Sequence, residues 1–194
     1  MNMIMNEKYL TELLKDEFGC IMEIGAGEGY NTKLFCQLPS SKMVIVVDPF
    51  EKSWDDEDIH PSYIIPYPLE KWKSNVSEYQ DKIILVQKRS DDKTLFDELE
   101  KIGDIIFCFV DGLQREENII NDLSLVDRLK VKYVCLDDWS RETDVSQVKS
   151  GTLKFLENNT NYEILEIREN NLGTGQNRDL CFLRRKFNEN QNTI

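Results

Sequence analysis

The fold class of this chain is indicated most clearly by residues 20–32, which read Cys-Ile-Met-Glu-Ile-Gly-Ala-Gly-Glu-Gly-Tyr-Asn-Thr. An apolar run ends at Ile24, a glycine-rich loop follows, and a helix-like stretch begins at Tyr30. The loop glycines are Gly25, Gly27 and Gly29. Glycine is needed where a loop turns sharply and where a ligand approaches a backbone that carries no Cβ. A strand, a glycine loop and a helix in this order indicate the ligand-binding turn of an α/β sheet.

Short apolar runs alternate with helix-like stretches along the rest of the chain. The predicted strands are 20–24, 43–47, 82–87, 104–110 and 131–136, and 162–168 and 179–185 close the chain as an antiparallel pair. The predicted helices are 30–38, 69–79, 92–101, 114–129 and 145–157. Continuous apolar runs suit strands that are buried on both faces, as in a parallel sheet. The pattern predicts one doubly wound α/β sheet, mostly parallel, with helices on both faces and a C-terminal antiparallel hairpin.

One domain is predicted over residues 1–187, followed by a polar, frayed tail at 188–194. The segment 49–68 is long for a connection between a strand and a helix, and it holds several prolines, aromatic residues and the only histidine, His60. Long loops inside compact domains are often lids or binding loops. We therefore interpret 49–68 as a lid-like insertion, with an ordinary structured insertion as the alternative.

The charge of the chain restricts its partners. Lys and Arg number 24 against 36 Asp and Glu, so the 194 residues carry a formal net charge of −12. So acidic a surface repels polyphosphate, which predicts that nucleic acid is not a partner.

The longest apolar run, 105–110, is far too short for a membrane span, and the first residues lack the apolar core of a signal peptide. We therefore predict no membrane contact.

The five cysteines indicate a reducing compartment. They lie at positions 20, 36, 108, 135 and 181, no two of them have C-x-x-C spacing, and four fall within apolar runs. Cysteines in such runs behave as small hydrophobic residues. We predict reduced core thiols in a cytoplasmic protein, rather than a zinc site or a disulfide framework.

The glycine loop lacks the devices that bind phosphate. Tyr30 occupies the position of the third glycine of a dinucleotide fingerprint, and no Gly-Lys-Ser/Thr follows, which disfavours a nicotinamide-linked oxidoreductase and a P-loop. The carboxylates of Glu23 and Glu28 would also repel a pyrophosphate. Asp48 ends the second strand about 20 residues beyond the loop, where an acid accepts hydrogen bonds from ribose hydroxyls. S-adenosylmethionine (SAM), a nucleoside without phosphates, fits this pattern best.

Three motifs resemble those of class I (Rossmann-like) SAM-dependent methyltransferases, and among these the small-molecule O-methyltransferases of the macrocin and catechol types. Residues 23–32 resemble the opening E-[IV]-G-x-x-x-G-x-S-T, with Asn31 in place of serine. Residues 109–123 resemble F-I-D-G-D-H-x-Y-E-x-x-x-x-D-L, and residues 134–139 resemble I-V-[FL]-D-D-W. The resemblance covers nearly the whole chain.

The resemblance implies a SAM site and the residues that form it. These are Glu23, Gly25, Ala26, Gly27, Gly29, Asp48, Ser90, Asp91 and Asp111. It also implies a divalent metal, with Mg²⁺ as the expected ion, at Asp111, Asp137 and Asp138. Converging carboxylates repel one another unless a cation or a proton lies between them, and oxygen ligands suit Mg²⁺. In the alternative, Asp111 contacts SAM, and Asp137 or Asp138 caps the next helix.

The general base of the resembling family is missing from its usual place. Leu113 and Gln114 stand where the motif has Asp-His, and an amide takes no proton at neutral pH. The candidates for catalysis are therefore Asp111, Asp138 and His60, the last because the intrinsic pKa of imidazole suits proton transfer.

Together these features predict a SAM-dependent methyltransferase that transfers a methyl group to a hydroxyl of a small molecule, assisted by a divalent metal. Two alternatives stay open. One is a metal-free enzyme that acts on nitrogen or on an ionised oxygen, which Leu113 and Gln114 favour. The other is a SAM-binding protein without catalysis. The sequence does not name the methyl acceptor, and it leaves a homodimer open.

Overall fold

A seven-stranded sheet forms the centre of the computed structural model, which describes residues 7–50, 69–140, 146–171 and 177–186. Its strands are β1 (Gly19–Ile24), β2 (Ser41–Val47), β3 (Ile83–Val86), β4 (Ile105–Val110), β5 (Tyr133–Leu136), β6 (Tyr162–Asn171) and β7 (Asn177–Arg185). Their order is β3-β2-β1-β4-β5-β7-β6. Strands β1 to β5 pair in parallel, whereas β7 is antiparallel to both β5 and β6. The predicted mixed sheet with its C-terminal hairpin is confirmed.

Helices connect the strands. They are α1 (Glu7–Leu13), α2 (Tyr30–Gln37), α3 (Leu69–Asn75), a 3-10 helix (Ser77–Lys82), α4 (Leu95–Leu99), α5 (Glu116–Arg128) and α6 (Val148–Asn158). The sequence did not predict α1. All five predicted helices are shorter in the structure, and the largest differences are at 69–79 and 92–101. The helix predicted over 92–101 begins only at Leu95, because the Asp92 carboxylate accepts from the backbone N–H of Thr94 over 2.8 Å. Such a side-chain turn competes with helical hydrogen bonding.

Two apolar clusters cover the two faces of the sheet, and β4 contributes to both. Phe107 and Phe109 lie in the cluster under α1 and α2, whereas Cys108 and Val110 lie in the cluster under α5 and α6. Side chains of a strand alternate between its faces, so a strand that is apolar at every position must be buried on both. The helices on both faces confirm this prediction. In the described part of the chain, no helix is long and apolar enough to cross a membrane.

All five cysteines are buried, and none forms a disulfide. Four of them lie in strands, at Cys20, Cys108, Cys135 and Cys181. Their burial as thiols within the core agrees with the prediction that they pack as small hydrophobic residues.

The parallel register brings the carboxyl ends of neighbouring strands to one edge. Ile24, the last residue of β1, lies opposite both Val47 of β2 and Val110 of β4. Val110 in turn lies opposite Leu136, the last residue of β5. The order of the strands reverses between β1 and β4, which is where open α/β sheets bind ligands. The residues that follow these strands therefore surround the expected ligand crevice.

Candidate functional site

The glycine loop after β1 is pressed against the end of β4. Gly25 has a φ of +83°, and a Cβ on it would lie 2.4 Å from the carbonyl oxygen of Asp111. Its N–H donates to the carbonyl of Val47 over 3.0 Å. Gly29 also has a positive φ, of +85°, and a Cβ there would lie 2.8 Å from the indole of Trp72. Glycine is therefore required at both positions, for its backbone conformation and for the close approach.

Asp48 lies directly beside this loop. Its Oδ2 accepts a hydrogen bond from the Ala26 N–H over 2.8 Å, and its Oδ1 accepts from the Phe50 N–H over 2.8 Å. These two bonds fix the carboxylate beside the glycine loop, at the carboxyl ends of β1 and β2. Each carboxylate oxygen has a second lone pair, so a ligand hydroxyl could still be accepted. The role of Asp48 at the ribose stays a prediction.

Glu23 lies beneath the loop and is fully buried. The Thr32 hydroxyl donates to its carboxylate, and the indole N–H of Trp72 donates to the Thr32 oxygen over 3.2 Å. No described residue donates to the other carboxylate oxygen, Oε1. The pKa of Glu23 is raised to about 8, chiefly by burial, with the Thr32 hydrogen bond opposing the rise and the charge of Asp48 adding to it. In this structure the Glu23 carboxylate has no exposed surface. Its contact with SAM stays a prediction.

The turn after β3 carries Ser90 and Asp91. Asp91 forms two hydrogen bonds of 3.0 Å with the Arg89 guanidinium. The Ser90 side chain hydrogen-bonds to Asp122, a buried carboxyl of α5. The pKa of Asp122 is raised to about 7, chiefly by burial, with the Ser90 hydrogen bond opposing the rise and the charge of Asp91 adding to it. Asp122 also lies close to the turn after β4, with its Oδ2 3.9 Å from where a Cβ of Gly112 would be.

Asp122 was not among the predicted site residues, although it hydrogen-bonds to the turn after β3 and lies near the turn after β4. Its signal in the sequence is an acid one position before Leu123, within the apolar face of an amphipathic helix. A carboxyl on a buried helical face needs a hydrogen-bond partner. The sequence could indicate that need, but not that Ser90 meets it.

Asp111, Asp137 and Asp138 follow β4 and β5 at the same edge of the sheet, as predicted. Asp137 and Asp138 are buried, and Asp138 has a φ of +55°. The Gln114 side-chain amide donates to Oδ2 of Asp138 over 3.2 Å. Gln114, which stands where the motif has its base, therefore binds a predicted catalytic residue.

A second glutamine joins the segments that follow β4 and β5. The Gln147 N–H donates to the Gln114 carbonyl over 2.6 Å, and the Gln147 side-chain oxygen accepts from the Glu116 N–H over 3.1 Å. These bonds satisfy a backbone donor at the start of α5. They also hold Gln114 in position against Asp138. Gln147 has no distinguishing signal in the sequence.

Comparison with known proteins identifies the fold. No protein-family profile and no curated protein sequence matches the chain. Among solved structures, an O-methyltransferase from Bacillus cereus in complex with S-adenosylhomocysteine (SAH) has a TM-score of 0.67 at 18% identity, over 93% of this chain and 80% of that one. An O-methyltransferase of tomaymycin synthesis from Streptomyces achromogenes, in complex with SAM, has a TM-score of 0.64 at 15% identity, over 93% and 79%. The chain has the class I methyltransferase fold.

The methyltransferase fold does not by itself decide the acceptor. An rRNA methylase from Streptococcus thermophilus has a TM-score of 0.60 at 15% identity, over 95% of this chain and 99% of that one. The absence of a nucleic-acid partner stays a prediction from the charge of the chain.

His60 and most of the lid-like insertion 49–68 lie outside the described residues, as does the tail 188–194.

The described residues give no support to the predicted divalent metal. The described residues contain no group of three or more His, Cys, Asp or Glu side chains placed to hold a metal ion. Asp138, one of the three predicted ligands, instead accepts from the Gln114 amide. This N–H donor takes one lone pair of Oδ2 and leaves the second, so the bond alone does not exclude a metal. The metal at Asp111, Asp137 and Asp138 stays a prediction that this arrangement does not favour.

Proposed function

We propose that this chain is a SAM-dependent methyltransferase that acts on a small molecule. The observation that carries the proposal is the hydrogen bond from the Ala26 N–H to Asp48. It sets the carboxylate that follows β2 against the glycine loop that follows β1, and this loop lies where the strand order reverses in a methyltransferase fold. A carboxylate at this place suits ribose hydroxyls, and the lack of a P-loop lysine suits a nucleoside without phosphates.

The chemistry requires position more than reactive groups. A lone pair of the acceptor atom attacks the methyl carbon of SAM, the carbon–sulfur bond breaks, and its electron pair stays on sulfur to leave SAH. Holding the two reacting atoms in line supplies a large part of the rate enhancement. Asp48 and the loop at 25–29 would hold the nucleoside. The carboxylates along this edge favour a cationic sulfonium over an anionic cofactor.

A metal-free reaction is the second candidate, and the bond between Gln114 and Asp138 favours it. A nitrogen nucleophile or an ionised oxygen needs no metal to lower its pKa. Asp138 would accept the proton that an amine acceptor releases, and Gln114 would orient the carboxylate through its 3.2 Å hydrogen bond. The buried thiols support a reducing compartment such as the cytoplasm for either reaction.

Calorimetric titration of the full chain with SAM, in Mg²⁺ and again in EDTA, tests the cofactor. We expect binding in both buffers. Asp48→Ala should weaken it roughly 10- to 100-fold, the effect of losing a hydrogen bond to a charged group. Asp81→Ala, at an exposed position of the 3-10 helix, is the matched control and should bind as the wild type does. Absence of SAM binding at millimolar concentration would exclude the proposed function.

Transfer of a labelled methyl group from SAM to pooled amines, carboxylates and hydroxyl compounds tests the reaction. Transfer to amines or carboxylates in EDTA supports the metal-free candidate. Transfer to hydroxyls only in Mg²⁺ would instead support the metal-assisted O-methyltransferase. SAM binding with no transfer to any class would support the alternative of a SAM-binding protein without catalysis.

A further inference from the structure

Strand β6 forms one outer edge of the sheet. It is ten residues long, and it pairs with β7 on one side only. No strand in the described ranges pairs with its other side. An unpaired edge of this length presents a row of backbone N–H and C=O groups that another strand can bind. Native proteins usually protect such edges, so what covers β6 requires an explanation.

The outer strand also exposes apolar side chains on one face. Four large hydrophobic residues of the described chain are exposed, and two of them are Ile164 (39%) and Ile167 (48%) of β6. The register places Ile164 opposite Leu183 and Ile167 opposite Cys181. Leu183 and Cys181 both lie in the cluster under α5 and α6. The register shifts between Ile164 and Glu166, so the two isoleucines project from the same face of the edge strand although they are three residues apart.

The opposite face of the strand carries a pair of opposite charges. Arg168 Nε lies 3.0 Å from a carboxylate oxygen of Glu166, and the Arg168 guanidinium lies 3.8 Å from the centre of the Tyr9 ring. Both side chains are about two-fifths exposed. Glu166 and Arg168 flank Ile167 symmetrically in the sequence. This arrangement is self-complementary when the strand meets its own copy in the antiparallel direction.

We propose that β6 pairs with β6 of a second copy of this chain, antiparallel about a two-fold axis at Ile167. The axis places Ile167 against Ile167 of the second copy, and Glu166 against Arg168 of the second copy, twice. A two-fold axis at Glu166 would place the Glu166 carboxylates of the two copies opposite each other. An axis at Arg168 would place the two Arg168 guanidinium groups opposite each other. Opposite charges across strands stabilise a sheet, whereas like charges destabilise it. The result is an isologous dimer in which two seven-stranded sheets become continuous.

Sedimentation of the full chain at total concentrations from about 1 to about 100 μM, the range around a micromolar Kd, tests the dimer. The wild type should dimerise, and Ile167→Lys should be monomeric throughout. Leu153→Lys, at an exposed apolar position of α6, is the matched control and should dimerise as the wild type does. Far-UV circular dichroism and thermal unfolding establish that each variant is folded.

Charge exchange tests the register. Glu166→Arg alone and Arg168→Glu alone should each be monomeric, because each places two like pairs across the axis. An equimolar mixture of the two variants should form heterodimers, because every cross-strand pair in it is then opposite in charge. Only the proposed register makes this prediction, and it does not depend on SAM or on any activity.

The outcomes that overturn the proposal are distinct. A wild type that is monomeric over the whole range overturns it, as does a dimer that Ile167→Lys leaves intact. If the two charge variants stay monomeric when mixed, the register at Ile167 is wrong. If either charge variant does not fold, Ile167→Lys and Leu153→Lys still decide whether β6 is the interface.

Discussion

The turn after β1 and the turn after β4 touch through their backbones at Gly25 and Asp111. A Cβ on Gly25 would lie 2.4 Å from the Asp111 carbonyl oxygen, and the Asp111 N–H donates to the Ile24 carbonyl over 2.9 Å. These contacts hold the two turns together at the point where the strand order reverses. The backbone therefore sets the spacing of the two turns that border the expected ligand site, and a methyl group added at Gly25 would clash there.

Gly25→Ala should destabilise the protein and weaken SAM binding. Gly103→Ala is the matched control, because Gly103 also has a positive φ, of +123°, but has no atom within 4 Å of the position of a Cβ. Both variants carry a backbone cost, whereas only Gly25→Ala adds a clash, of about 1–3 kcal/mol. Urea unfolding measures the difference in the free energy of unfolding, and calorimetry measures SAM affinity.

The comparison separates two sources of strain. Gly103 precedes β4, at the amino ends of the parallel strands and away from the expected ligand site. Its variant should therefore bind SAM with unchanged affinity. Equal losses of stability in the two variants would show that the close approach of Gly25 to Asp111 is relieved at no cost. In that case the backbone contact would not shape the crevice.

The pattern of strands could be predicted because it depends on local sequence. Runs such as 105–110 are apolar at every position and buried on both faces, so their period and length were sufficient. Helix α1 was missed because it is seven residues long and buries only Leu10 within its bounds, which leaves too short an apolar pattern to detect. Asp48, Asp111, Asp137 and Asp138 could be placed at one edge, because parallel strands deliver their carboxyl ends together.

The hydrogen bonds of the site could not be predicted. The Ser90–Asp122 bond joins the turn after β3 to helix α5, and the Gln114–Asp138 bond joins the segments that follow β4 and β5. Nothing in local periodicity identifies such distant partners. Gln147 shows this most clearly, because its contacts with Gln114 and Glu116 depend entirely on how two loops pack. Residue types indicated which side chains need partners, and only the tertiary structure shows which partners they have.

Glu23 should make the stability of the protein fall as the pH rises. Its pKa is about 8 in the folded protein against an ordinary value of 4.5. Between these values the folded state holds a proton that the unfolded state has lost, so the free energy of unfolding decreases with rising pH. The contribution is fully present below pH 4.5 and is lost as the pH rises through about 8. Asp122 should act in the same direction, since its pKa is raised from 3.8 to about 7.

Urea unfolding across this pH range, in the wild type and in Glu23→Gln, measures the effect. Glutamine keeps an oxygen for the Thr32 hydroxyl and removes the ionisable proton. The variant should therefore gain stability relative to the wild type as the pH rises, and a double variant with Asp122→Asn should show a still flatter profile. Glu70→Gln, at an exposed position of α3, reports the effect of removing a carboxyl from the surface. Parallel profiles for the wild type and Glu23→Gln would contradict the raised pKa of Glu23.

A series of substitutions at Asp138 should separate its backbone role from its side-chain role. Asp138 has a φ of +55°, which asparagine and glycine adopt more readily than alanine. Asparagine also keeps an oxygen for the Gln114 amide, which glycine and alanine remove. The expected order of stability is therefore wild type and Asp138→Asn, then Asp138→Gly, then Asp138→Ala.

Urea unfolding measures each step of this series. Asp138→Gly should lie about 1 kcal/mol below Asp138→Asn, the net value of a hydrogen bond, and Asp138→Ala should lie a further ~1–2 kcal/mol below for its left-handed backbone. If Asp138→Ala is as stable as Asp138→Gly, the positive φ carries no cost. Under the proposed function, Asp138→Asn should also lower methyl transfer while SAM affinity stays unchanged, because it removes the charge that would accept a proton and leaves the nucleoside crevice intact.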